Sequence, residues 1–329
     1  MVRKIMISII IPVHNVGNFL HICLNSILKQ NFSDFEVICV DDASTDSSLE
    51  ILEYFAKKDS RIKILKNDSN YGPGYSRNRG LDIAQGKYIL FIDADDWLSQ
   101  NVLQILVRKS DKDNLDLLMF KGIVYYEDKH NFGMAKYYDM EFMNKFVNKV
   151  FNHCDIDKTK LFSLPNAPWN KLYLKSFLDE KNIRFPDENL IHEDNPFFYN
   201  VFTSARRISL LNKYCYNRRR WNGSLTTLTN ERVFDNIDMM YKVLDVFIEN
   251  ELYDYYKKEI LTYIFVNVLH LKYNRISGEF KEEFYKKVQE SFKVYIQKYG
   301  LYKDIKDNVD KETLDFFKFD EIVSEILSS

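Results

Sequence analysis

Apolar and polar positions alternate in blocks along the first hundred residues. Ile5–Pro12 is an apolar run closed by proline and predicts a strand. Phe19, Leu20, Cys23, Leu24, Ile27 and Leu28 recur at helical spacing, which predicts a helix over Phe19–Gln30. Phe35–Val40 predicts a second strand, ending in Asp41-Asp42. Ser47-Ser48-Leu49-Glu50 has the form of a capping box opening a helix to Lys58. Ile62–Leu65 predicts a short strand. Tyr75–Ala84 predicts a helix, with Gly86 placed to cap its C-terminus. Tyr88–Ile92 predicts another strand, ending in Asp93-Ala94-Asp95-Asp96, and a helix (Val102–Ser110) and a strand (Leu115–Tyr125) follow. Strands alternating with helices of this size predict βαβ units, hence an α/β fold with a mainly parallel sheet. The near-continuous apolar strands agree, because such a sheet is covered on both faces.

Residues 127–226 are less regular. Asp139–Phe151 predicts a helix, Lys175–Lys181 a shorter one, and between them lies Pro165-Asn166-Ala167-Pro168-Trp169-Asn170-Lys171. After about Glu231, Leu, Ile, Phe and Tyr recur at helical spacing between Lys and Glu. This predicts a helical C-terminal region over 227–329 with breaks near Gly278 and Gly300. Residues 1–226 then form one domain with two halves, 1–110 and 111–226. No internal repeat is visible.

Composition narrows the classes. The 329 residues carry 46 Lys+Arg against 48 Asp+Glu, a formal charge of −2, which argues against nucleic acid as the main partner. Only 10 Gly and 6 Pro argue against low-complexity segments. Cys23, Cys39, Cys154 and Cys215 have the spacing of neither a zinc site nor a disulfide framework. The N-terminal apolar run ends in Pro-Val-His-Asn without a small-residue cleavage site, so it reads as a strand and not a signal peptide. No apolar stretch reaches the roughly 18 residues of a membrane span, and a cytoplasmic location is the expectation.

In an open parallel sheet, ligands bind beyond the carboxyl ends of the strands. Three predicted strand ends carry polar clusters: Pro12-Val13-His14-Asn15, Asp41-Asp42-Ala-Ser-Thr-Asp46 and Asp93-Ala94-Asp95-Asp96. Carboxylates gathered in a cleft raise one another's pKa unless a cation neutralises them. Asp93 and Asp95, two apart in an extended segment, face the same side. Carboxylate oxygens suit hard cations such as Mg²⁺ or Mn²⁺, commonly shared with a substrate phosphate. Asn70-Tyr71-Gly72-Pro73-Gly74-Tyr75-Ser76-Arg77-Asn78-Arg79-Gly80 matches neither the dinucleotide fingerprint nor the P-loop, but it leads into a helix start and carries two arginines, a combination suited to anions.

Taken together, these segments resemble the family 2 glycosyltransferases of GT-A fold. That family shows P-x-x-N, V-D-D-x-S-x-D, N-x-G-x-x-x-x-R-N-x-G and G-x-Y-[IL]-x-F-[LI]-D-x-D-D, and all four occur here in order at Pro12–Asn15, Val40–Asp46, Asn70–Gly80 and Gly86–Asp96. Trp169-Asn170-Lys171-Leu172-Tyr173, Glu193-Asp194 and the Tyr/Arg-rich Tyr214–Thr226 resemble segments of polysaccharide-assembling members. The resemblance implies a sheet with a nucleotide-sugar-binding half (1–110) and an acceptor and catalytic half (111–226). It implies that Pro12, Val13, His14, Asn15, Asp41 and Asp42 surround the base, with Asp42 reading it, and that Gly74, Arg77 and Asn78 help hold the nucleotide. Asp93, Ala94 and Asp95 would face the ribose and diphosphate, and Asp93, Asp95 and Asp96 would bind Mn²⁺ or Mg²⁺. Asp194 would be the catalytic base, with Glu193 the alternative. The implied reaction is inverting transfer from a nucleotide-sugar, UDP-linked by analogy, to a glycan or lipid-linked acceptor in surface polysaccharide synthesis.

Other residues are candidates for the acceptor or donor side. Trp169, with Asn170 and Lys171, is a candidate acceptor wall, His192 and Glu193 candidate lining, and Arg218 and Arg220 candidate phosphate contacts. His14 stands where the family often has Tyr, and Ser76 where it often has Ala. Asn217-Arg218-Arg219-Arg220-Trp221 departs from the Q-x-x-R-W of processive synthases at its first residue. A sugar-phosphate nucleotidyltransferase would need a Gly-rich basic loop after the first strand, where Val-His-Asn-Val-Gly-Asn stands. A response-regulator-like module would need paired acids there. A non-catalytic subunit keeping the same fold stays open. For the helical tail, packing on the rest of the chain is the default, and a dimer interface or peripheral contact with the inner face of the membrane are the alternatives.

Overall fold

The computed structural model describes residues 5–221 and 231–328. By contacts the chain divides into two compact units. Among the described residues, the first comprises 5–156, 164–189 and 193–221. The second comprises 157–163, 190–192 and 231–328. The boundary expected at 226/227, and the Ser-x-Thr end of the Tyr/Arg-rich segment, lie outside the described residues.

The first unit is built on a nine-stranded sheet. Its strands are β1 (Ile7–Val13), β2 (Phe35–Asp41), β3 (Ile62–Lys66), β4 (Tyr88–Phe91), β5 (Trp97–Leu98), β6 (Leu117–Tyr126), β7 (Asn131–Gly133), β8 (Lys171–Leu174) and β9 (Ile208–Arg220). The spatial order is β3-β2-β1-β4-β8-β6-β9-β5, with β7 attached to β6. The run β3-β2-β1-β4 is parallel. β8 enters antiparallel between β4 and β6, while β9 again runs parallel to β6. Helices α1 (Gly17–Leu28), α2 (Ser48–Lys58), α3 (Gly72–Ile83) and α4 (Leu103–Asp113) link the early strands. Ile7, Ile9, Ile11, Val37, Cys39, Leu90 and Ile92 share one core with Leu20, Leu24 and Ile27 of α1, as expected for strands covered by helices. This is the α/β, GT-A-type arrangement that the sequence predicts.

Three local expectations are corrected. The helix expected over Asp139–Phe151 is a four-residue helix (Lys136–Asp139) and a 3₁₀ stretch (Glu141–Phe146), interrupted at Met140, whose φ of 52° cannot continue an α-helix. Gly86 does not cap a helix. A Cβ there would lie 2.4 Å from the Ser8 backbone nitrogen, so glycine allows this segment to press against β1. Ser47 makes no side-chain cap for α2. Asp46 accepts from the Ser48 amide (2.9 Å) and from the Gly17 amide (2.9 Å), fastening the loops before α1 and α2 together.

The pairing of β6 with β9 is interrupted. Phe120 faces Leu211, Lys121 faces Tyr214 and Gly122 faces Tyr216, so two steps along β6 are matched by five along β9. The irregularity sets Tyr216 opposite Gly122, where Trp169 packs on both.

The second unit is helical. Asp235–Glu249, Tyr253–Leu261, a nine-residue π-helical stretch (Thr262–His270) and Gly278–Tyr299 bury Val243, Phe247, Ile260, Phe265, Phe292 and Tyr295. Gly278 begins the longest helix and Gly300, at φ 68°, caps it. No helix among the described residues is long and apolar enough to cross a membrane.

Candidate active site

The polar clusters converge beyond the carboxyl ends of β1, β2 and β4. At the end of β1, the His14 ring donates from Nδ1 to the Asp42 carbonyl oxygen (2.7 Å), which fixes the other ring nitrogen as acceptor for Asn15 and Asn70 (3.1 Å each). Asn15 takes a left-handed conformation, and its side-chain oxygen accepts from the Thr45 amide (2.8 Å). Val13 is fully buried, and its carbonyl accepts from the Asp42 amide (2.8 Å), locking the ends of β1 and β2 in register.

Asp41 and Asp42 are both buried, with different surroundings. The Asp42 carboxylate accepts from the Tyr71 and Gly72 amides (3.0 and 2.7 Å) and from Asn67 Nδ2 (2.5 Å). It thereby caps α3, which starts at Gly72, three residues before the expected Tyr75. Asp41 accepts only a long contact from the Ser44 amide (3.4 Å), and its other carboxylate oxygen is buried without a partner.

Arg77 joins two acid clusters. Its guanidinium, 5% exposed, donates to Asp93 (2.8 Å) and to Glu193 (2.5 Å), and lies over the Phe185 ring (5.2 Å). Gly74, one turn earlier, makes room for this approach: a Cβ there would lie 2.7 Å from the Pro186 carbonyl and 3.0 Å from Glu193 Cγ. Asn78 donates to the Phe185 carbonyl (2.9 Å) and Asp187 (2.7 Å) and accepts from the Phe185 amide (3.0 Å). The expectation that Asn78 holds nucleotide is thus corrected: its carboxamide is taken up in holding residues 185–187.

The three aspartates after β4 point to three different partners. Asp93 faces Arg77, and its backbone amide donates to the Tyr216 hydroxyl (3.0 Å). Asp95 accepts from the Trp221 indole (2.8 Å), and burial, with the Asp93 charge, pushes its carboxyl above the usual range. Asp96 is buried, bonded to the Tyr216 hydroxyl (2.7 Å) and the Arg219 amide (2.6 Å), and burial pushes its carboxyl up strongly. Asp96 thus braces β9 through the Tyr216 hydroxyl and the Arg219 amide. Among the described residues no group of three His, Cys, Asp or Glu converges as a ready-made cation cage. Asp93 and Asp95 remain as a pair of hard carboxylates on the site side. Ala94 between them is buried.

Asp194 is the first residue of the helix Asp194–Ser204. Part of its side chain stays accessible, yet burial pushes its carboxyl above the usual range, opposed by Arg77 and Lys171 and reinforced by Asp93. Glu193, beside it, is buried and engaged by Arg77; burial raises its carboxyl while Arg77 opposes the rise. His192, at φ 69°, belongs to the second unit.

The proposed acceptor wall is corrected. Trp169 is 2% exposed, stacked on Tyr216 (4.3 Å, 11°) and against Tyr138 (4.7 Å), a core position. Lys171 is wholly buried; its ammonium donates to the Pro165 and Ala167 carbonyls (2.7 and 2.6 Å) and to Asn170 Oδ1 (2.7 Å), and burial pushes its pKa well down. Asn170 is equally buried. These residues build the floor and do not face an acceptor.

The arginine run divides along β9. Arg219 is buried, donating to the Asp95 carbonyl (2.9 Å) and paired with Glu127, over Phe19 and Trp97. Arg218 donates to the Tyr138 hydroxyl (2.9 Å), and Arg220 is exposed. The sequence singles out neither Tyr138 nor Tyr216 individually, although Tyr216 lies within the Tyr/Arg-rich segment. The first lies in an irregular segment, and the second owes its orientation to the β6–β9 irregularity.

A parallel half-sheet with acid clusters at its strand ends, joined through an arginine to an acidic helix start, is the arrangement expected from the resemblance to GT-A transferases. A family model described as glycosyl transferase family 2 matches residues 8–179, over half of the chain. Glycosyltransferase GlyG of Streptococcus pneumoniae is 30% identical over 228 residues, covering 67% of this chain and 72% of that protein. A poly(ribitol-phosphate) beta-glucosyltransferase of Bacillus spizizenii is 36% identical over 215 residues, 64% of this chain; the chain spans only 31% of that longer protein. Staphylococcus aureus TarS residues 1–349, solved in complex with UDP, superposes with a TM-score of 0.69 at 22% identity, over 88% of this chain and 80% of that one, a likeness of fold. The chain belongs to glycosyl transferase family 2 and is a glycosyltransferase.

Proposed function

We propose that this enzyme moves a sugar from a UDP-linked donor to a hydroxyl of a glycan or lipid-linked acceptor, with inversion, in the synthesis of a surface polysaccharide. The observation that carries this reading is the Arg77 junction, which ties the strand-end Asp93 to Glu193 beside Asp194. Support for the donor comes from TarS, solved with UDP and with UDP-GlcNAc, and for a polymeric acceptor from the relatives that act on poly(ribitol-phosphate).

In this reading Asp194 removes the acceptor hydroxyl proton. Its raised pKa strengthens it as a base, a role worth roughly 10²–10⁴-fold. Glu193 is the weaker candidate because Arg77 occupies its carboxylate. Asp93 and Asp95 would hold Mn²⁺ or Mg²⁺: both offer hard oxygen donors, and the burial and Asp93 charge that together raise Asp95 are opposed by a divalent cation. Such an ion, when bound, neutralises charge on the leaving diphosphate. His14, Asn15, Asp41 and Asp42 surround the base, and Arg218 and Arg220 add positive charge on the site side of β9.

Calorimetry with UDP and Mn²⁺, with and without EDTA, followed by a panel of UDP-sugars, tests this. Metal-dependent micromolar binding supports the donor assignment, and the tightest sugar nominates the donor. Binding only to GDP-, dTDP- or CMP-linked donors overturns the uridine assignment. Silence across all of them favours a non-catalytic subunit.

A further inference from the structure

Beside α1, on the first unit, lies an open groove of about 820 Å³ that none of the roles above uses. One wall is the outward side of α1, with His21, Ile22 and Asn25, and Lys29 just after it; the other is Trp97 with Leu98–Asn101, and Asn217 of β9 closes it. The volume lies in the range of small-ligand sites, roughly 300–1,000 Å³.

The groove is pre-built. Gln30 donates to the Ser26 and Ser99 carbonyls (2.9 and 2.8 Å) and accepts from the Val102 amide (2.8 Å), while Asn217 donates to the Trp97 carbonyl and Ser99 hydroxyl (3.2 Å each). These bonds fix its floor, so a ligand meets a formed surface. The Trp97 ring is braced by the Arg219 guanidinium (4.8 Å) and by the edges of Tyr125 (5.5 Å) and Phe132 (6.2 Å). Phe132, beside it, is exposed. Amides, hydroxyls and an imidazole line the groove, with no carboxylate. Among the described residues, the side chains of Lys29 and Gln100 make no hydrogen bond or ion pair, so both keep their polar groups for a ligand.

A fixed indole supplies a flat apolar face for pyranose C–H groups, and uncommitted amide and ammonium groups answer the hydroxyls. We propose that this groove is a second saccharide site, holding a segment of the growing glycan outside the catalytic centre. Trp97 lies two residues beyond Asp95, so a chain seated here stays beside the site. The proposal rests on the glycosyltransferase reading, and the glycan is the one substrate class that reading supplies in polymeric form.

The test titrates the full chain with cellotetraose, chitotetraose, maltotetraose and mannotetraose, following the tryptophan indole N–H signals by NMR. UDP binding is measured on the same samples. Saturable displacement of one indole signal, absent in Trp97→Phe, with affinity weakened about 3–10-fold in Gln100→Ala and Lys29→Ala, is the expected result. UDP affinity stays unchanged in the last two variants. UDP binding without any saccharide response overturns the groove alone, whereas loss of both points to failure of the transferase reading. Displacement with wild-type affinity in both Gln100→Ala and Lys29→Ala overturns the assignment to this groove. A dimer by light scattering that Ile22→Glu dissociates would make the groove an interface between copies, which also overturns it.

Discussion

Replacing Arg77 with Met tests the central junction quantitatively. The substitution leaves Asp93 and Glu193 without their shared cation. Asp93 keeps a third of its side chain in solvent, so water compensates it; Glu193, at 9%, has no such recourse. The cost is therefore that of one buried, uncompensated carboxylate, about 3–5 kcal/mol. Burial already holds the Glu193 carboxyl above its unfolded value, and losing Arg77 raises it further. A carboxyl whose folded pKa exceeds its unfolded pKa loses stability as pH rises between the two values. The deficit of Arg77→Met is thus largest at neutral pH and shrinks on acidification, as Glu193 takes up a proton in the folded state. Urea unfolding of both proteins at pH 7 and pH 5, followed by circular dichroism, measures it. Adding Glu193→Gln should recover most of the loss. A deficit under about 1 kcal/mol, or one independent of pH, would show a solvated pair and refute the reasoning.

Other outcomes follow from the same geometry. Asp194→Asn should keep UDP affinity and lower turnover by roughly 10²–10⁴-fold, and wild-type kcat/KM should fall on the acid side with a midpoint above the ordinary aspartate value of about 3.9, because burial raises this carboxyl. Lys171→Met orphans two carbonyls and the Asn170 amide oxygen, and should cost about 1–3 kcal/mol by urea titration without altering UDP affinity. Trp169→Ala should cost about 3–5 kcal/mol as a core truncation; a rise in acceptor KM at unchanged stability would restore its role as an acceptor wall.

What could be read in advance follows the range of the interactions. The alternation that sets β1 to β4 is local, and so are the acid clusters at strand ends, which parallel pairing then carries to one edge. The start of α3 differs from the expected Tyr75 because its cap, Asp42, stands just beyond β2, thirty residues earlier. Gly86 looked like a helix cap because composition does not distinguish a left-handed turn from a close approach to β1. Trp169 and Lys171 carry the residue types of a binding wall, but only their burial, set by β8 and β9, decides that they are floor. Tyr138 gives no local signal and Tyr216 only that of its Tyr/Arg-rich segment, since their hydroxyls act through the distant Arg218, Asp93 and Asp96.

The interruption between β6 and β9 has a bearing on how the gene can change. Five residues of β9 spanning two steps of β6 amount to an odd excess, so parity is reversed across it. Losing or gaining a single residue between Asn212 and Cys215 would therefore transpose whole sets of side chains downstream: Tyr216 and Arg218 would swap sides with Asn217 and Arg219. Length changes in this stretch come in two kinds, even ones that preserve the pattern and odd ones that invert it. Lineages diverging from this chain should accordingly keep the number of these residues fixed modulo two.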